Sequence, residues 1–142
     1  MNTGALPLLT RLSRQIYKRS SEQLLGMRLR HYVALSYLRD VEHAPQQLMC
    51  EIFGIDANNM VLLLNSLEEA GYIERRRDPD DRRRHLVELT DAGRAALELA
   101  ELAQRAIEDE LLAGLSMAER ETLHDLLARA LPAIPGGPAH PT

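Results

Sequence analysis

The tripeptide Gly54-Ile55-Asp56 constrains this chain more than any other stretch. Gly54 can take the left-handed conformation that ends a helix, and Asp56 can accept hydrogen bonds from the free amides of the next helix. Two helices must therefore meet across a very tight turn. The first is short. It starts at Pro45, a good first-turn residue, with Leu48, Ile52 and Phe53 as its buried positions. The second covers about 57–70, with Met60, Leu63, Leu64 and Leu67 as its apolar stripe and Gly71 at its end. Residues 72–77 and 84–89 then read as two short strands around Asp78-Pro79-Asp80-Asp81, a turn by composition. A helix-turn-helix followed directly by a β-hairpin is a winged helix.

The flanks read as helices. Leu8, Leu9, Leu12 and Ile16 recur at helical spacing over 5–24, with Arg11, Arg14, Lys18 and Arg19 between them and Gly26 as the stop. A second helix over 28–40 places His31, Leu35 and Leu38 on one face. Thr90 caps a long helix of about 91–114, along which Ala92, Ala95, Leu99, Leu102 and Ala106 form a seam for another helix. Ser116-Met117-Ala118-Glu119 is a capping box opening a last helix with Leu123, Leu126, Leu127 and Ala130. From Pro132 the chain is rich in Pro, Gly and Ala, so 132–142 is expected to be a disordered tail. The expected fold is mainly α with a small β-hairpin wing, as one winged helix-turn-helix domain over 1–131. A lobe of about 27–89 leaves the seam uncovered, and an isologous contact between two copies would bury it.

Composition narrows the function. No apolar run reaches the length of a membrane span, and the N-terminal stretch lacks the basic start and apolar core of a secretory signal. The single cysteine, Cys50, allows no intramolecular disulfide, which suits a cytoplasmic setting. The net charge of −4 argues against nucleic acid until its distribution is seen. Residues 1–85 hold 13 Lys/Arg against 11 Asp/Glu, whereas residues 86–142 hold 4 against 10. A basic front and an acidic back suit a chain whose first part meets phosphate. Gly-x-Ser-x-Gly, phosphate-loop and His-Glu-x-x-His patterns are all missing, so no catalytic residue is expected. The five histidines show no metal spacing, and no cofactor is implied.

Two segments resemble the MarR family of bacterial transcriptional regulators. Leu67-Glu68-Glu69-Ala70-Gly71-Tyr72-Ile73-Glu74-Arg75 is similar to the end of that family's recognition helix and its first wing strand. Asp78-Pro79-Asp80-Asp81-Arg82-Arg83-Arg84, followed by Leu89-Thr90-Asp91-Ala92-Gly93-Arg94, is similar to its wing and the entry to its long helix. The layout covers about 5–131, with the residue-level match concentrated in 45–94. The resemblance implies a homodimer built by about 5–26 and 90–131, bound to a near-palindromic operator in double-stranded DNA. It also implies a repressor or activator tuned by a small anionic or phenolic effector. The chain departs from the family in carrying Val61 and Leu62 where Ser, Thr or Arg is frequent.

In a helix-turn-helix the first turns of the second helix read bases. Asn58, Asn59, Val61, Leu62 and Asn65 stand there: asparagine can pair bidentately with adenine, and an apolar side chain can touch a thymine methyl. The alternative for Asn58 and Asn59 is that they complete the helix start. Gln46 and Gln47 open the preceding helix, either on phosphates or as a solvated turn. At the wing, Arg77, Arg82, Arg83 and Arg84 can enter a minor groove, or pair locally with the neighbouring aspartates. Tyr17, Arg28, His31 and Tyr32 lie near the junction between lobe and flanking helices and suit a small anion, with a solvated helix end as the alternative for Arg28 and an ordinary partly buried side chain for His31. Cys50 reads as a structural cysteine, with a thiol redox switch as its alternative. The rival to DNA binding is a winged-helix module that binds another protein.

Overall fold

The computed structural model describes residues 2–131. The tail expected over 132–142 lies outside the described residues. Seven helices and three strands follow in order: α1 (Ala5–Arg19), α2 (Glu22–Leu25), α3 (Leu29–Val41), β1 (His43–Pro45), α4 (Gln46–Phe53), α5 (Ala57–Glu69), β2 (Ile73–Arg77), β3 (His85–Leu89), α6 (Asp91–Leu111) and α7 (Met117–Ala130).

The helix expected over 5–24 is in fact two. Ser20 ends α1, and Ser21 caps α2 by accepting the Leu24 amide at 3.2 Å. A serine hydroxyl at such a position competes with the helix ladder and favours a cap. The sheet also gains a strand that period-two reasoning did not find. β1 pairs antiparallel with β3, His43 opposite Glu88 and Pro45 opposite Leu86, so the hairpin becomes a three-stranded sheet of order β1-β3-β2.

The core lies under the helix-turn-helix. Met60, Leu63, Leu64 and Leu67 are all buried, as the α5 stripe requires. They meet Ala34, Leu35 and Leu38 of α3, Met49 of α4, Ile73 and Val87 of the sheet, and Leu97 and Ala100 of α6. In α4 the fully buried side chain is Met49, while Leu48, Ile52 and Phe53 are half-buried. The helix is only 8 residues long, so one face suffices to anchor it.

The α6 seam is not part of this core. Its buried stripe is Gly93, Leu97, Ala100 and Ile107, while Leu99 and Leu102 remain 70% and 62% exposed. Helices α1 and α7 bury no residue fully, and Leu6, Leu8, Leu9, Leu126 and Leu127 are exposed. The flanking helices thus leave several large apolar side chains uncovered within the protomer.

Candidate nucleic-acid interface

The turn between α4 and α5 is built as its residues dictate. Gly54 has φ 62°, the left-handed conformation that closes α4. One residue later Asp56 caps α5, accepting the Asn59 amide at 2.8 Å. The Asn59 side chain also donates to the same carboxylate, at 2.9 Å. Asn59 therefore completes the helix start, the alternative weighed for it above. Asn58 is exposed, with no side-chain hydrogen bond among the described residues.

At 100° per residue, Asn58, Leu62, Asn65 and Glu69 fall on the face of α5 opposite the buried Met60, Leu63, Leu64 and Leu67. Leu62 is 64% exposed and Val61 lies at the edge of this face. Exposed leucine in a helix interior has no partner within the protomer and is suited to an apolar contact outside it. Gln46 is half-buried at the start of α4 and Gln47 is exposed beside it.

Arg75 on β2 ties the hairpin to this helix. Its guanidinium grips Glu68 through two 3.1 Å hydrogen bonds and donates to Asn65 Oδ1 at 2.6 Å. The hydrogen bond from Arg75 holds the Glu68 carboxyl below the usual carboxylate range. Arg75 was not among the site residues singled out from sequence. Its partner lies ten positions away across a turn, and only the arrival of Glu68 seven residues earlier hinted at a pair.

The wing tip is a network of short polar contacts. Asp78 is buried, accepting the Asp80 amide at 2.9 Å and the Arg84 guanidinium at 2.9 Å. These contacts, the Asp80 amide first, hold its carboxyl below the usual range. Arg84 is thus a brace of the turn. Arg77 donates to the Arg82 carbonyl at 2.7 Å, which also fixes the tip. Arg83 pairs with Asp81 at 3.1 Å, yet its side chain remains 90% exposed. Arg82 is exposed and has no carboxylate partner among the described residues. Arg76 pairs with Glu88 across the strands at 2.5 Å. The six arginines of the hairpin thus divide into braces and outward-facing cations, a division the sequence run conceals.

The four residues expected at an effector site are not brought together. Tyr17 and Arg28 line one cleft of about 380 Å³ beside α2, together with Ser20, Ser21 and Arg30. Tyr32 lines a different cleft of about 630 Å³ between α1, α3, α6 and α7. His31 is half-buried, and burial, then Arg28 and Arg30, lowers its pKa below the usual histidine value against an opposing effect of Glu22. Residues 28–32 begin a helix, so neighbours in sequence point around its axis into different clefts. Cys50 is half-buried and packs against the core. Among the described residues no cluster of His, Cys, Asp or Glu is placed to hold a metal ion, and no helix is long and apolar enough to cross a membrane.

A MarR family model matches residues 25–84, the stretch from α2 to the wing tip. The chain is 36% identical over 95 residues to the uncharacterized HTH-type transcriptional regulator YdgJ of Bacillus subtilis, covering 67% of this chain and 58% of that protein. It is 38% identical over 98 residues to a putative transcriptional regulatory protein for the hcr operon of Thauera aromatica, covering 69% and 59%. The matched segment thus spans under three fifths of the length of these curated relatives. A crystal structure of a probable transcriptional regulator from Pseudomonas aeruginosa is similar over 88% of this chain and 95% of its own, at 34% identity and a TM-score of 0.71. A mutant of E. coli MarR complexed with operator DNA superposes with a TM-score of 0.72 at 26% identity, covering 89% of this chain and 92% of its own. The family model, the curated regulators and the solved structures agree, and the chain belongs to the MarR family.

Proposed function

We propose that this protein is a transcriptional regulator that binds duplex DNA as a homodimer and performs no catalysis. The observation that carries this reading is the Arg75 bridge, which holds an arginine-bearing hairpin beside the solvent face of the second helix of a helix-turn-helix. In that arrangement α5 enters a major groove while the wing reaches the adjacent backbone or minor groove. The operator DNA held by the E. coli relative and the regulator names of the curated relatives support the same reading. The lobe of 27–89 makes the DNA contact, and the exposed faces of α1, α6 and α7 pair two copies. Two identical lobes then address a near-palindromic site. Such a protein works where the chromosome is, in the cytoplasm.

The protein-interaction alternative needs no outward-facing cations at the wing tip, so Arg82 and Arg83 favour DNA. The test is a titration with the duplex immediately upstream of the protein's own gene at two salt concentrations. Affinity that falls steeply with salt supports the reading, and salt-independent binding or none overturns it.

A small anionic effector has its best-matched site in the cleft holding Tyr17, Arg28 and Arg30, which combines an aromatic face with two cations against one carboxylate, Glu22, 3.9 Å from Arg28. A ligand there shifts DNA affinity only by preferring one spacing of the two lobes. Operator titrations with and without small aromatic acids test it. Unchanged affinity with the protein folded would make the regulator constitutive. The half-buried setting of Cys50 favours a structural role over redox sensing.

A further inference from the structure

Asn65 stands near the centre of the outward face of α5, where an asparagine ordinarily suggests bidentate pairing with adenine. That pairing needs both halves of the amide: Nδ2 donating to N7, and Oδ1 accepting from the N6 amino group. In this structure Oδ1 already accepts one hydrogen bond from within the protein, which takes up one of its two lone pairs and fixes the amide plane. Arg75 lies 2.6 Å from Asn65. A guanidinium has no acceptor, so the amide atom facing it must be the carbonyl oxygen. Arg75 is in turn gripped by both oxygens of Glu68 and is only 20% exposed, so it is not free to swing away. The Nδ2 group diverges from the engaged oxygen, and it makes no hydrogen bond among the described residues.

We propose that Arg75 fixes the Asn65 amide in a donor-only orientation, so that Asn65 reads the O6/N7 acceptor edge of guanine and does not select adenine. This rests on the operator-binding reading above. Guanine presents two adjacent acceptors, N7 and O6, in the major groove, whereas adenine offers Nδ2 only N7 and places a second donor, its N6 amino group, beside it. Arg75 acts through Asn65 and is a positioning residue for base recognition. Glu68 holds Arg75 in place.

The experiment uses the full-length protein and a duplex library in which every position of the upstream operator is varied, with affinities measured for the wild type, Asn65→Ala and Arg75→Met. Asn65 is exposed, so Asn65→Ala should melt like the wild type. The expected result is that Asn65→Ala flattens a guanine preference at one base pair per half-site, by about fivefold or more. Arg75→Met keeps the apolar stem but releases Oδ1, and at that same pair the guanine-to-adenine ratio should fall by a similar factor. If Asn65→Ala removes a preference for any base other than guanine, or changes no position, the proposal is overturned. A folded Arg75→Met that leaves the ratio intact overturns it as well. Should Arg75→Met fail to fold, the Asn65→Ala profile decides alone. A wild type that shows no sequence preference on any duplex refutes the operator-binding reading itself, an outcome distinct from specific binding that ignores Asn65.

Discussion

A β-carbon on Gly93 would lie 2.1 Å from the carbonyl oxygen of Tyr72. The first turn of α6 therefore passes directly against the backbone that leads into β2. Thr90 secures the same junction. Its amide donates to that Tyr72 oxygen at 3.0 Å, its hydroxyl donates to the Gly71 carbonyl at 2.6 Å, and it caps α6 by accepting the Gly93 amide. The end of α5, the hairpin and the long helix α6 are thus joined at one point. Gly93→Ala sets two effects against each other. Alanine is the better helix former by about 1 kcal/mol. The added carbon, however, meets backbone atoms that cannot rotate away, and overpacking of that kind costs about 1–3 kcal/mol or more. We expect net destabilisation and a lower melting temperature. An unchanged or higher melting temperature would show that α6 shifts freely at this point.

The wing turn should have its own acid limit. Asp78 carries a carboxyl held below its ordinary value of 3.8, by the Asp80 amide and then Arg84. A group depressed on folding stabilises the folded state above its unfolded pKa, and that contribution is lost as pH falls through the lower, folded value. The order of the wing should therefore persist through pH 4 and decay only below the ordinary carboxylate range. Amide signals of residues 78–84 followed by NMR during acid titration check this. Asp78→Asn should leave only the transition of Asp81, whose carboxyl the Arg83 hydrogen bond also holds below its usual range, and an unchanged transition in Asp78→Asn would assign it elsewhere.

Dimer formation should depend on the exposed seam of α6. Leu99 and Leu102 stand 70% and 62% exposed, and burying a leucine is worth about 1.5–3 kcal/mol. In an isologous contact each substitution acts twice. Leu99→Glu with Leu102→Glu should therefore convert a micromolar dimer to monomer while leaving the protomer folded, since neither side chain belongs to its core. Sedimentation with circular dichroism reads both. A full-length wild type that sediments as a folded monomer would remove the need for a seam at all.

Much of this fold was legible because local rules and packing agree along the middle of the chain. The α5 stripe, the Gly54 and Asp56 turn, and the caps at Thr90 and Ser116 all stand where the residue types put them. β1 was not legible, since three residues ending in proline give no alternation to read. The break at Ser20 and Ser21 was hidden by an apolar pattern that continues to Leu24 and Leu25 across it. The site was legible as a region and less so as individual roles. An arginine run announces a basic wing, but which arginines brace it depends on aspartates two to six residues away, as for Arg84 on Asp78. Asn65 and Asn59 are both candidate base contacts in sequence, with completion of the helix start as the alternative for Asn59 only. One is held by Arg75 from another element, and the other by the cap of its own helix. Such pairings arise from tertiary distance, which periodicity does not encode.

The outward-facing arginines give the sharpest test of phosphate contact. Arg83 is 90% exposed, and its pairing with Asp81 is the kind of surface ion pair that adds little to stability and is readily exchanged. Phosphate can therefore replace Asp81 as its partner. Arg82 has no such pair to give up among the described residues. Each phosphate neutralised contributes about 0.9 to the log–log salt slope of binding. A dimer has two wings, so Arg82→Ala or Arg83→Ala removes two contacts and should lower the slope by about 1.8. The loss should be similar on operator and random duplexes, because phosphate carries no sequence information. Melting temperature should hardly change for either variant. If Arg83 instead only braces the hairpin, Arg83→Ala will lower the melting temperature and leave the slope intact. Arg82→Ala then serves as the reference, because the Arg77 contact that fixes the tip is to the Arg82 carbonyl, which alanine retains. A reduced slope in Arg82→Ala with none in Arg83→Ala would assign phosphate contact to Arg82 alone, and an unchanged slope in both would mean that the wing tip does not touch the backbone.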